Sequence, residues 1–197
     1  MIIIITPEKN INNETEIING LFQEGLDLLH LRKSFMSRDE MADFIRNIDP
    51  EFRHRLVLCS HYELAEQFEI SRLHFRETDR KNNRQASFAG KVISTSVHDM
   101  ETFNELDKSW AYAFISPVFP SISKKGYGEH SAVLHEIKKR SNPHVRLIAL
   151  GGIDQYNIQD IFKSGADGAA LLGAIWENQE PLQVFRACMH AVRQNGK

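Results

Sequence analysis

Two hydroxyls and two ammonium groups crowd together at Ser121, Ser123, Lys124 and Lys125, inside the stretch Ser116-Pro-Val-Phe-Pro-Ser-Ile-Ser-Lys-Lys-Gly-Tyr-Gly-Glu129. Pro117 and Pro120 prevent a helix there, and Gly126 and Gly128 permit a bent loop. Hydroxyls and ammonium groups on a glycine-bearing loop after an apolar run suit an anionic, oxygen-rich group, phosphate above all. A solvated loop whose lysines serve only solubility is the alternative. A second signal favours phosphate. Gly151-Gly152 leaves bare backbone N–H groups where a helix should begin, and the loop around Gly173-Ala174 can complete a cradle.

These groups need elements to hold them. The apolar run Trp110–Ile115 reads as a buried strand, as do Ile2–Ile5, Leu26–Leu31, Arg55–Cys59, Arg72–Phe75, Lys91–Thr95, Val145–Leu150 and Gly168–Leu172. Helical segments lie between them. Asn13 is a candidate N-cap with Glu16 three residues on, and Gly25 a candidate C′ residue. Ser37 and Glu40 form a capping-box pair, Asp99 and Asp154 begin further helices, and Pro181 suits the first position of a last one. The polar segment 76–87 looks the least ordered. Eight strands alternating with helices predict an α/β chain folded as a single (β/α)8 TIM barrel, residues 1–197.

In such a barrel the active groups lie at the C-terminal ends of the strands. Reading those ends gathers His30, Arg32 and Lys33; Cys59, Ser60 and His61; His74 and Asp79; Ser96 and His98; Ser121, Ser123 and Lys124; Gly151 and Gly152; and Leu172 and Gly173. Cations, hydroxyls and glycines dominate this rim, with Asp79 the one carboxylate among them. That set suits a small phosphorylated or diphosphorylated substrate with a divalent cation.

Composition excludes several other classes. Charged residues make up 25% of the 197 and the formal net charge is −2, with both signs interspersed, so no basic face for nucleic acid is expected. The four isoleucines at 2–5 are too short for a membrane span. Cys59 and Cys188 have no metal-ligand spacing, and a reducing cytoplasm is the simplest setting. Self-association as a homo-oligomer stays open.

The strings Leu28-Leu-His-Leu-Arg32, Thr95-Ser-Val-His98, Ser116–Lys124, Ile148-Ala-Leu-Gly-Gly-Ile153 and Gly165-Ala-Asp-Gly-Ala-Ala-Leu-Leu-Gly-Ala-Ile175 together resemble the thiamine phosphate synthases. The resemblance runs in order over essentially the whole chain. It implies a barrel that joins hydroxymethylpyrimidine diphosphate to thiazole phosphate and releases diphosphate, with magnesium as cofactor. It also implies roles: Arg32 and Lys124 on the diphosphate, Ser96 in the catalytic set, and Asp79 on magnesium. His30, Lys33, Cys59, His98, Ser121 and Ser123 would bind substrate, with Gly151, Gly152, Leu172 and Gly173 around the thiazole phosphate.

This chain also departs from that pattern. Cys59-Ser60-His61 stands where the family has Asn-Asp-Arg, which removes a magnesium aspartate and predicts weaker metal binding and slower turnover. His30 replaces a pyrimidine-reading glutamine, and Ser34 stands where a lysine is usual. A thiazole tautomerase, a non-catalytic thiazole phosphate binder and an unrelated phosphosugar isomerase are the competing expectations.

Overall fold

A computed structural model describes residues 1–120, 122, 128 and 131–193. Eight parallel strands close in sequence order into a barrel: β1 (Ile2–Ile5), β2 (Leu28–Leu31), β3 (Leu56–Leu58), β4 (Arg72–Phe75), β5 (Val92–Val97), β6 (Trp110–Ile115), β7 (Arg146–Leu150) and β8 (Gly168–Leu171). The helices around it are α1 (Glu14–Gln23), α2 (Arg38–Arg46), α3 (Leu64–Gln67), α4 (Glu77–Lys81), α5 (Met100–Asn104), α6 (Val133–Glu136), α7 (Ile158–Lys163), α8 (Gly173–Trp176) and α9 (Pro181–Arg193). The expected (β/α)8 barrel is what the chain forms. Among the described residues no helix is long and apolar enough to cross a membrane.

Strand alternation divides the side chains into two cores. Ile3, Ile5, Leu28, Val57, Tyr112, Phe114, Ile148 and Ala170 pack together inside the barrel. Their neighbours Ile2, Ile4, Leu29, Leu56, Leu58, Ala113, Leu147 and Ala169 belong to the layer under the helices. A strand buried on both faces must be apolar at every position, and β1 is four consecutive buried isoleucines. The barrel closes through β1 and β8, with Ile2 opposite Ala169 and Ile4 opposite Leu171. Small residues are needed at that seam, because a Cβ on Gly168 would meet the Met1 carbonyl oxygen at 2.6 Å.

Several local expectations are met in detail. Ser37 Oγ accepts from Glu40 N while Glu40 Oε2 accepts from Ser37 N, closing the capping box of α2. Asp99 Oδ1 accepts from Thr102 N at the start of α5. Others are revised. Asn13 sits at the start of α1 in a left-handed conformation and makes no side-chain cap. Asp154 accepts from Tyr156 N and Asn157 N, so it shapes the turn before α7 rather than the helix itself, which begins at Ile158. β5 continues two residues beyond the expected Thr95, which makes Ser96 a strand residue. The segment 76–87 is ordered into α4 and a 3-10 turn, Arg84–Ser87, tied by Lys81–Glu77 at 2.8 Å and Arg84–Asp79 at 3.2 Å. Local ion pairs there take the place of apolar periodicity, which is why the pattern gave no helix signal.

Candidate active site

A cavity of 460 Å³ opens at the C-terminal ends of the strands. Its floor is set by alternation: His30, Cys59, His74 and Ser96 lie two residues along from inward positions or pair with them, so they point into the barrel rather than to the helices. Phe114 packs against both histidines, with ring centroids 4.7 Å from His30 and 5.0 Å from His74, and the two imidazoles meet edge-on at 5.0 Å. The mouth is polar, with Arg32, Arg76, Glu77, Thr78, His98 and Ser116.

The floor is a hydrogen-bonded network of neutral groups. Ser94 Oγ donates to the Leu73 carbonyl at 3.3 Å, and a carbonyl only accepts. Ser94 therefore receives the proton of His74 Nδ1 at 3.0 Å, and His74 Nε2 accepts from the Ser96 hydroxyl at 3.1 Å. The Ser96 oxygen thus presents lone pairs to the cavity. Burial, helped by the positive charges of Arg32 and Arg76, drives the His74 pKa down to about 3, so the ring is uncharged and a poor base. His30 is fully buried with both nitrogens engaged, Nε2 with Tyr112 Oη at 2.6 Å and Nδ1 with Cys59 Sγ at 3.6 Å. Burial and the neighbouring His74 hold its pKa well below the usual imidazole value. Desolvation also pushes the Cys59 thiol up to about 12, which keeps it protonated and unreactive.

At the mouth, Arg32 is oriented from both ends. Its backbone N–H donates to Thr6 Oγ1 at 2.8 Å and its guanidinium pairs with Glu8 at 3.0 Å. His98 Nδ1 lies 3.0 Å from the Ser116 carbonyl oxygen and donates to it, and Nε2 faces Glu77 at 3.8 Å. Gly151 and Gly152 follow β7 with φ of 110° and 62°. Phe119 N donates to the Gly151 carbonyl at 3.1 Å, and a Cβ on Gly152 would stand 2.1 Å from the Pro120 oxygen. The glycine pair is therefore required for the loop after β6 to close against the loop after β7. Leu172 and Gly173 line a neighbouring cavity of 250 Å³ that shares Arg32 with the first.

Of the residues singled out from sequence, His30, Arg32, Cys59, His74, Ser96 and His98 come together around the main cavity. Ser121, Ser123 and Lys124 lie outside the described residues. Two further residues from that set lie outside the cavity lining. Lys33 does not reach the mouth: it is fully buried on the helix side of β2, with Nζ 2.7 Å from Glu14 Oε2 and 2.8 Å from the Lys9 carbonyl. One residue beyond Arg32 on the chain leaving β2, it points to the opposite side. Asp79 is not among the residues that line the cavity either: its carboxylate pairs with Arg84, although its charge still acts on His74.

The remaining groups do not fit a protein-held magnesium ion, which prefers several carboxylate or carbonyl oxygens. Among the described residues no three His, Cys, Asp or Glu side chains are grouped to hold a metal. Glu77 is the lone carboxylate in the described lining and is already paired with Lys81, while the position after β3 offers a protonated thiol. His61 turns away, with Nε2 bonded to the Met36 carbonyl at 2.8 Å.

Arg76, Glu77, Thr78, Tyr112 and Phe114 were missed by the reading of the sequence. Period-two alternation along Trp110–Ile115 would have placed Tyr112 and Phe114 on the inward face. Arg76 directly follows β4 and could have been found from the rule that placed Arg32.

Comparison with known proteins agrees with this architecture. Residues 2–175 match the family described as thiamine monophosphate synthase. A thiamine-phosphate synthase of Oceanobacillus iheyensis is 28% identical over 154 residues, covering 75% of this chain and 73% of that protein. Solved structures of a thiamine phosphate pyrophosphorylase from Bacteroides thetaiotaomicron and one from Pyrococcus furiosus superpose with TM-scores of 0.82 and 0.83. Their identities are 24% and 17%, over all of this chain and 99% and 96% of theirs. With a barrel of this order, a polar mouth above an aromatic floor and a family match over nearly its full length, the chain belongs to the thiamine monophosphate synthase family.

Proposed function

We propose that this protein joins hydroxymethylpyrimidine diphosphate to thiazole phosphate, giving thiamine phosphate and diphosphate. The observation that carries the reading is the division of one cavity into a neutral aromatic floor and a cationic mouth, which matches a flat heterocycle bearing a diphosphate arm. The pyrimidine would lie against Phe114, within reach of His30 and of the Ser96 oxygen. Arg32 would hold the arm at the rim. When the CH2–O bond breaks, its electron pair leaves with diphosphate, and the Ser96 lone pairs face the electron-poor benzylic-type carbon. The thiazole nitrogen then supplies the pair for the new C–N bond. The loops after β7 and β8, with Gly151, Gly152, Leu172 and Gly173, would hold the thiazole phosphate, and Lys124 the departing charge. Fixed donors and charges of this kind act without reorganisation during the reaction.

The proton-transfer reading is weakened by the floor itself, because His30 and His74 are neutral, depressed in pKa and engaged at both nitrogens. Small phosphorylated molecules are the partners this site suits, and two free cysteines accord with a reducing cytoplasm. The test is release of diphosphate from the two precursors together, followed in native protein and in Ser96→Ala and Lys124→Ala. Release that needs both precursors and falls about a hundredfold or more in either variant supports the reading. Thiazole phosphate binding without release would replace it with a binding role.

A further inference from the structure

Arg76 stands apart from the other cations of its rim. It leaves the end of β4 in an extended conformation, its side chain is exposed, and it lines the cavity mouth. Neighbouring cations are spoken for: Arg32 by Glu8, Arg80 and Lys81 by Glu77, and Arg84 by Asp79. The Arg76 guanidinium has no hydrogen-bond or ion-pair partner among the described residues. Its charge and that of Arg32 both act on His74 and on Cys59, so the two cations flank the same part of the floor. The nearby carboxylates that a metal would need, Glu77 and Asp79, are already paired with Lys81 and Arg84.

We propose that Arg76 and Arg32 form a two-guanidinium clamp that binds the diphosphate arm directly, in the place of a protein-held metal ion. The inference rests on the synthase reading for the identity of the arm. A guanidinium offers planar, paired N–H donors that match phosphate oxygens, keeps its charge at every working pH, and needs no metal to bridge anion to protein. An exposed, unpartnered arginine can turn onto an arriving anion without first breaking an ion pair.

The experiment is calorimetric titration of the full chain with inorganic diphosphate in excess chelator. Native protein should bind, with affinity falling as salt rises. Arg76→Ala and Arg32→Ala should each weaken binding about tenfold or more, Arg76→Lys should restore part of it, and Arg84→Ala should not change it. Unfolding midpoints of the variants check that they are folded. Undiminished binding to a folded Arg76→Ala protein, or native binding that appears only with added magnesium, overturns the clamp. The two readings separate cleanly. If diphosphate binds and Arg76→Ala abolishes it, but the precursors give no release, the clamp stands and the synthase reading falls. If Arg76→Ala releases diphosphate as fast as native protein, the reverse holds.

Discussion

Replacing His74 by glutamine should flatten the dependence of folding stability on acid. In the native protein the ring is buried between Ser94 and Ser96 and takes up a proton only near pH 3, whereas the same ring in the unfolded chain titrates near pH 6.5. Below pH 6.5 the unfolded state therefore binds the extra proton and is favoured, so stability falls as pH falls. The contribution is intact above about pH 6.5 and is lost progressively toward pH 3. At pH 5 the loss is about 2 kcal/mol, and at pH 3 it is about 4 kcal/mol for this residue. His30 acts in the same direction. Urea unfolding at pH 7.5 and pH 5 measures the difference. Native protein should lose about 2 kcal/mol more than His74→Gln between these two values, whatever the variant costs at pH 7.5. Nitrogen-resolved NMR should find His74 neutral with the proton on Nδ1. Parallel pH profiles would refute the depressed His74 pKa, and a proton on Nε2 would refute the donor order derived for the floor.

Lys33→Met should cost about 3–5 kcal/mol, because it strands the Glu14 carboxylate 5% exposed, and Lys33→Met with Glu14→Leu should recover most of that. Urea unfolding reads both, and a small cost combined with weakened diphosphate binding would return Lys33 to the substrate site. Gly152→Ala should cost about 1–3 kcal/mol for its left-handed backbone, and more if the Pro120 carbonyl cannot yield to the new Cβ. A thermal midpoint within about 1 °C of native would show that the two loops do not close as described.

How far each residue could be read from the sequence depends on which kind of force places it. Ile2–Ile5 and Trp110–Ile115 have the bounds expected of them, since a strand buried on both faces is apolar along its length. The Ser37–Glu40 box was equally plain, as both partners lie within one helical turn. Segment 76–87 was opaque, because its order comes from ion pairs between charged residues that look the same in a solvated loop. The missing helix signal also hid the direction of Asp79, which depends on rotation around α4.

The sequence by itself determined the alternation of strands and helices, and therefore a closed parallel barrel with its chemistry at one end of the strands. It also determined which residues could meet there, since each strand end is a fixed place on the rim. Only the tertiary structure decided which of them face the cavity. Arg32 and Lys33 are adjacent cations on the same strand end, yet alternation sends one to the mouth and the other beneath α1 to Glu14. The same holds for the floor, where the donor order of Ser96, His74 and Ser94 ends on the Leu73 carbonyl of the neighbouring strand. Side-chain direction and protonation are set by what lies across the barrel, and those neighbours are brought together only when it closes.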